Sequence, residues 1–135
     1  MTHRRSLYRG ADWPSVFGAV GCGESLGVVI AARGSMRSTE RCIQAIFAAH
    51  HDAGWRASLW ITVLVDGCRG GTVAEARREL GAFGEVLNVR AQSPQELYRI
   101  GVGAIERHFE ARGGATMVFA TPELVDSVQP LEQCA

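Results

Sequence analysis

Ile61-Thr62-Val63-Leu64-Val65-Asp66-Gly67-Cys68-Arg69-Gly70-Gly71-Thr72 is an apolar run that ends in an acid and then in a glycine-rich turn. Residues of strand character that stop abruptly at a carboxylate place that carboxylate at the C-terminal edge of a parallel sheet, where open α/β folds bind ligands. Asp66 is therefore the first site candidate. The plainer reading of Asp66-Gly67 stands beside it, because an Asp-Gly pair often does no more than end a strand and begin a turn.

The elements on either side follow from local signals. Leu59 to Val65 is predicted as a strand, and Thr72 with Glu75 three residues on has the form of a capping box, which predicts a helix through Leu80 that Gly81 ends. Glu85 to Val89 is a third strand. Ser93-Pro94-Gln95-Glu96 then combines a Ser cap, a Pro at the first helical position and a Glu three residues after the cap, which predicts a helix start. The apolar face of that helix holds Leu97, Ile100, Ala104, Ile105, His108 and Phe109, and Gly113-Gly114 leads into Ala115 to Ala120 as a fourth strand.

Upstream, the wholly apolar Gly27 to Ala32 predicts a central strand covered on both faces. From Ser38 to about His51, Cys42, Ile43, Ile46 and Phe47 repeat with helical spacing, and Gly54 offers a stop. The order βαβαβαβ predicts an α/β fold of three layers, a mainly parallel sheet joined by right-handed crossovers. Tyr8, Trp13 and Phe17 lie among glycines without a helical or strand period, so residues 1–25 are expected to form an irregular N-terminal arm. Residues 26–121 are the expected folded domain and 122–135 a C-terminal tail.

Composition sets limits on partners. With 135 residues, 47% of them hydrophobic and 21% charged, the chain is suited to one folded domain with a real core. Fourteen basic residues balance fourteen acidic ones, so no overall field draws in nucleic acid or an anionic membrane, and neither is expected as a partner. No run approaches the ~20 apolar residues of a membrane span, and the basic stretch from Met1 to Arg9 is not followed by the apolar core of a secretion signal. Cys22, Cys42, Cys68 and Cys134 include no CxxC pair, and Cys42 is expected to be a buried thiol acting as a small hydrophobe. These features together lead to the expectation of a cytoplasmic protein.

Several other candidates carry plainer readings. His50, His51 and Asp52 are read as solvated helix-end residues, since adjacent histidines point about 100° apart on a helix and neither has a ligand-spaced mate. His108 is read as a partly buried packing residue. Gly18-Ala19-Val20-Gly21-Cys22-Gly23 precedes the first strand, whereas a dinucleotide loop follows one. Ser25, Ser35 and Ser58 have no G-x-S-x-G turn around them, and Trp13, Trp55 and Trp60 are read as core or boundary residues.

Three stretches, in this order, carry a resemblance. Val28-Val29-Ile30-Ala31-Ala32-Arg33-Gly34-Ser35 with Glu40-Arg41-Cys42-Ile43, then Val63 to Thr72, then Tyr98-Arg99-Ile100-Gly101-Val102-Gly103-Ala104 resemble the N-terminal half of the family 2 glycosyltransferases. These are inverting nucleotide-sugar enzymes of GT-A fold. The matching family patterns are V-V-I-P-A-R-N-E, D-G-[SC]-x-D-x-T and A-R-x-x-G-x-x-A, and the likeness spans roughly residues 26 to 120.

The resemblance implies a Rossmann-like half of a GT-A fold with strand order 3-2-1-4. It implies that Asp66 accepts the ring N–H of a nucleotide base, usually uracil, and that Ala31, Ala32 and Arg33 lie beside the nucleotide, with Arg33 placed to pair with a phosphate. It also implies a Mn²⁺ or Mg²⁺ ion on the diphosphate, held by a D-x-D after the fourth strand. Here that stretch reads Ala120-Thr121-Pro122-Glu123, and Glu123 alone offers a carboxylate. Gly34-Ser35 stands where the family has Asn-Glu, and Gly70 where it has the second acid of the D-G-x-x-D turn.

The expectation that results is a truncated family 2-like domain that binds a nucleotide or a nucleotide-sugar such as a UDP-sugar. Hexosyl transfer by the chain alone stays open, because neither the D-x-D nor a catalytic base is found. The alternative is a non-catalytic interaction or regulatory scaffold, in which Met117 to Ala120 forms an uncovered apolar sheet edge that pairs with a second copy or another protein.

Overall fold

A computed structural model of the chain describes residues 12–20, 24–32, 36–55, 57–66, 70–90, 93–109 and 116–120. For Met36, Asp66, Gly70, Gly71, Thr72, Pro94 and Thr116 it describes the backbone. The elements run α1 (Trp13–Ala19), β1 (Ser25–Ala32), α2 (Met36–Asp52), β2 (Ser58–Asp66), α3 (Gly70–Leu80), β3 (Gly84–Val89), α4 (Pro94–His108) and β4 (Thr116–Ala120). A 3-10 turn over Gly81–Phe83 joins α3 to β3.

The four strands form one parallel sheet in the order β3-β2-β1-β4. Alternation along β1 and β2 divides the core into two layers. Leu26, Val28, Ile30 and Ala32 of β1, with Leu59, Ile61, Val63 and Val65 of β2, face the helices α1, α2 and α3 through Val16, Ile43, Ile46 and Ala76. Val29, Ala31 and Leu64 face α4 through Leu97, Val102, Ile105 and Phe109. The placement follows from handedness. The chain moves one way from β1 to β3 and then returns past β1 to β4, so right-handed crossovers put the last helix on the opposite face. The fold is therefore three-layered, α/β and Rossmann-like.

α4 lies close against β1 because each element supplies a glycine where the other supplies a branched side chain. A Cβ at Gly27 would meet Ile105, and one at Gly101 would meet Val29. The two pairs are i, i+2 on the strand and i, i+4 on the helix, so the same faces meet twice. Ser93 caps α4, its Oγ accepting from the Glu96 N–H at 3.2 Å, as its sequence predicts.

α2 ends in a Schellman arrangement. The Gly54 N–H donates to the His51 carbonyl at 2.9 Å and the Trp55 N–H to the His50 carbonyl at 3.1 Å, with Gly54 at φ 74°. Trp55 is also left-handed, at φ 59°. Its indole packs edge-on against His50, with ring centroids 4.7 Å apart.

Several expectations are corrected. The arm over 1–25 is not irregular throughout: Asp12 accepts from the Ser15 N–H and hydroxyl, Pro14 occupies the first turn, and Trp13, Val16 and Phe17 bury the face of α1. α3 starts at Gly70, so Thr72 lies within its first turn and not at its cap. His50 is buried, 3% exposed, because it shares the face of Ile43 and Ile46. Its Nε2–H donates to the Ala57 carbonyl at 2.8 Å. His51 and Asp52 are exposed, as expected. His108 is exposed and stacks on Trp60, with centroids 3.8 Å apart and planes 11° apart.

The edge at Met117 to Ala120 is also corrected in one respect. Met117, Val118 and Ala120 are buried between the helical layers, so what β4 presents at the end of the described sheet is backbone and not an apolar side-chain surface. Cys42 is a buried thiol, as expected, and Cys22, Cys68, Cys134 and the tail over 122–135 lie outside the described residues.

Candidate functional site

The carboxyl ends of all four strands lie at one edge of the sheet. Asp66 is the last residue of β2, and its neighbours there follow from the register: Val65 pairs with Ala32, which ends β1, and Asp66 pairs with Val89, which ends β3. Ala120, the end of β4, pairs with Ile30. Asp66 thus stands one residue beyond the last β1–β2 pair. Its backbone ends β2 at the C-terminal edge of the parallel sheet.

This edge contains the switch point of the fold. α2 leaves β1 toward one face of the sheet, and α4 arrives at β4 from the other, so the crossovers part between β1 and β4. Open α/β sheets bind ligands in the crevice outside the strand ends at such a point. Asp66 is one strand away, about 5 Å from β1 by ordinary strand spacing.

Ala31 and Ala32 also reach this edge, but their methyl groups are buried in opposite core layers. Any contact they make with a ligand comes from the backbone, and their small side chains let a ligand approach it. Arg33 and Glu123 lie outside the described residues, as does the turn over 67–69. Two described cations reach the same end of the molecule: Arg37, exposed in the first turn of α2, and Arg90, exposed and next after Val89. Neither stood out in the sequence, because an isolated arginine carries no signal there.

The divalent cation implied by the family resemblance needs several hard oxygen ligands. Among the described residues no three His, Cys, Asp or Glu side chains come together to hold one.

The other polar groups of note are structural. His50 donates through Nε2, and its Nδ1 has no hydrogen-bond partner among the described residues. The Thr62 hydroxyl is buried on the α4 side of β2, with no hydrogen-bond partner among the described residues. Gln44 of α2 donates to Glu79 of α3 at 2.9 Å and ties those helices together. Among the described residues no helix is long and apolar enough to cross a membrane. No family model, curated protein or solved structure matches the chain.

Proposed function

We propose that the chain is a nucleotide-binding domain resembling the N-terminal half of a family 2 glycosyltransferase, with a ligand of the UDP or UDP-sugar type. The observation that carries this reading is the position of Asp66, at the carboxyl end of an inner strand and one strand from the crossover switch. A carboxylate on a rigid strand end accepts a ring N–H of fixed direction, and the imide N–H of uracil is such a donor. The strand order 3-2-1-4 is the one the resemblance implies, which supports the reading.

The proposal is one of binding. Hexosyl transfer needs a base within hydrogen-bond reach of an acceptor hydroxyl, and the reading assigns that role to none of the described residues. The test is calorimetric titration of UDP, with and without Mn²⁺, into the wild-type protein and Asp66→Ala. UDP is expected to bind the wild type, and Asp66→Ala to weaken it at least tenfold. Equal affinity in the two proteins would remove Asp66 from the site.

A second reading is favoured by one feature of the sheet. Among the described residues β4 has a strand on one side only. An interaction or regulatory scaffold would use that edge to pair a further strand. Absence of UDP binding at millimolar concentration would leave this second reading standing.

A further inference from the structure

We infer that His108 is a proton-operated latch: stacked on Trp60, its imidazole holds the last turn of α4 to the sheet more tightly when protonated. α4 runs back along the sheet from the carboxyl end of β3, so its last turn, which contains Arg107 and His108, reaches the end where β2 begins. There the His108 and Trp60 rings lie face to face, with centroids 3.8 Å apart and planes 11° apart. His108 also meets Phe109 edge-on, with centroids 4.7 Å apart, and Phe109 is buried in the core layer under α4. The imidazole therefore joins the end of the helix to both the strand and the core.

The surroundings favour the charged form of this ring. The indole of tryptophan is the best aromatic surface for a cation, and the stack sets the imidazole directly over it. The last turn of a helix carries the partial negative charge of its unpaired carbonyls, which also attracts a cation. Glu85 of β3 accepts from the Trp60 Nε1–H at 3.4 Å, which brings a carboxylate to the same indole. Because His108 is exposed, protonation buries no charge.

The other charged groups described at this end are few. β1 and β4 contain none, and Glu24 stands just before β1. On α4, Glu106 and Arg107 precede His108, and the Arg107 guanidinium lies back along the helix, 3.4 Å from where a Cβ on Gly103 would stand. A cation held more strongly in the folded chain than in the unfolded one adds stability below the imidazole range, centred at about pH 6.5. That stability is lost as pH rises through the range. Since α4 alone among the described helices covers its face of the sheet, acidification tightens that cover.

The experiment is urea denaturation at about pH 5.5 and about pH 8, on either side of the imidazole range, with the wild type, His108→Gln, Trp60→Leu and the double variant. His3, His50 and His51 are present in all four proteins, so their titration cancels in the comparison. The exposed position of His108 lets His108→Gln fold even if Trp60→Leu does not. On going from the higher to the lower pH, the folding equilibrium constant of the wild type is expected to gain about threefold over that of His108→Gln. Most of that gain should vanish when Trp60 is Leu. Equal pH dependence in the wild type and His108→Gln would overturn the inference, as would a gain toward high pH, which would mean that the neutral ring stacks better. A gain that persists undiminished in Trp60→Leu would assign the effect to the helix end and also refute the latch.

Discussion

Thr62 shows how one residue can be tested apart from the site it neighbours. Its hydroxyl is fully buried on the α4 face of β2, between Val29 of β1 and Glu85 of β3 in the register, and it has no hydrogen-bond partner among the described residues. A buried hydroxyl left unpaired costs about 1–3 kcal/mol of desolvation, whereas a methyl group of nearly the same shape costs none. Thr62→Val should therefore stabilise the protein by about 0.5–2 kcal/mol, read as a raised midpoint in urea denaturation. An unchanged or lowered midpoint would show that the hydroxyl has a partner, such as an ordered water. Trp55 lies at the opposite extreme of legibility. Its left-handed backbone costs about 1–2 kcal/mol in an L residue and is set by the Schellman turn before it, which Gly54 announces. That Trp55 continues in the same conformation, 52% exposed, was not readable, because the neighbours it packs on, His50 and Phe83, come from two other elements.

At the scale of elements, the pairing of α4 with β1 depends on two glycines that the sequence presents without their partners. Gly101→Ala would drive a methyl group into Val29, a contact that neither a packed helix nor a central strand can relieve by a small shift. The expected cost is about 1–3 kcal/mol by overpacking, measured as a fall in the urea midpoint without a change in slope. Gly103→Ala is the control: it lies on the same helix, where a Cβ would meet only the end of the Arg107 side chain. Helix propensity alone would stabilise both variants by up to about 1 kcal/mol, so a gain in Gly101→Ala matching that in Gly103→Ala would show that the close approach to Val29 carries no cost. The caps and periods of α2 and α4 were legible because they are written in neighbouring residues. α1 was not, since seven residues offer too few turns to establish a period. The signal it does carry, an Asp cap, a Pro in the first turn and apolar residues at i, i+3 and i+4, is easily lost among the surrounding glycines. His50 was misread for a related reason. Its spacing from Ile43 and Ile46 marks the buried face, but a polar pair followed by an acid resembles a solvated helix end.

Across the whole molecule, strand order decides which backbone groups are protected and which can recruit a partner. β1 and β2 have strands on both sides and helices over both faces, so their amides should exchange with solvent only through global unfolding. β3 and β4 each have a strand on one side only among the described residues, and alternate amides of each should exchange through local opening, faster than those of Val28 to Ala32. The parallel sheet was legible from alternating strands and helices, whereas the strand order came only as what the family resemblance implies. What covers the outer side of β4 was not, because the side chains of β4 are spent on the two core layers and its backbone groups look the same in any sequence. Hydrogen exchange followed by mass spectrometry at low and high protein concentration resolves that point. For the nucleotide-binding reading, exchange in Met117 to Ala120 stays fast and independent of concentration, while UDP slows exchange around Asp66. Protection of β4 that rises with protein concentration and ignores UDP would instead identify strand pairing between copies, and would favour the scaffold over the nucleotide site.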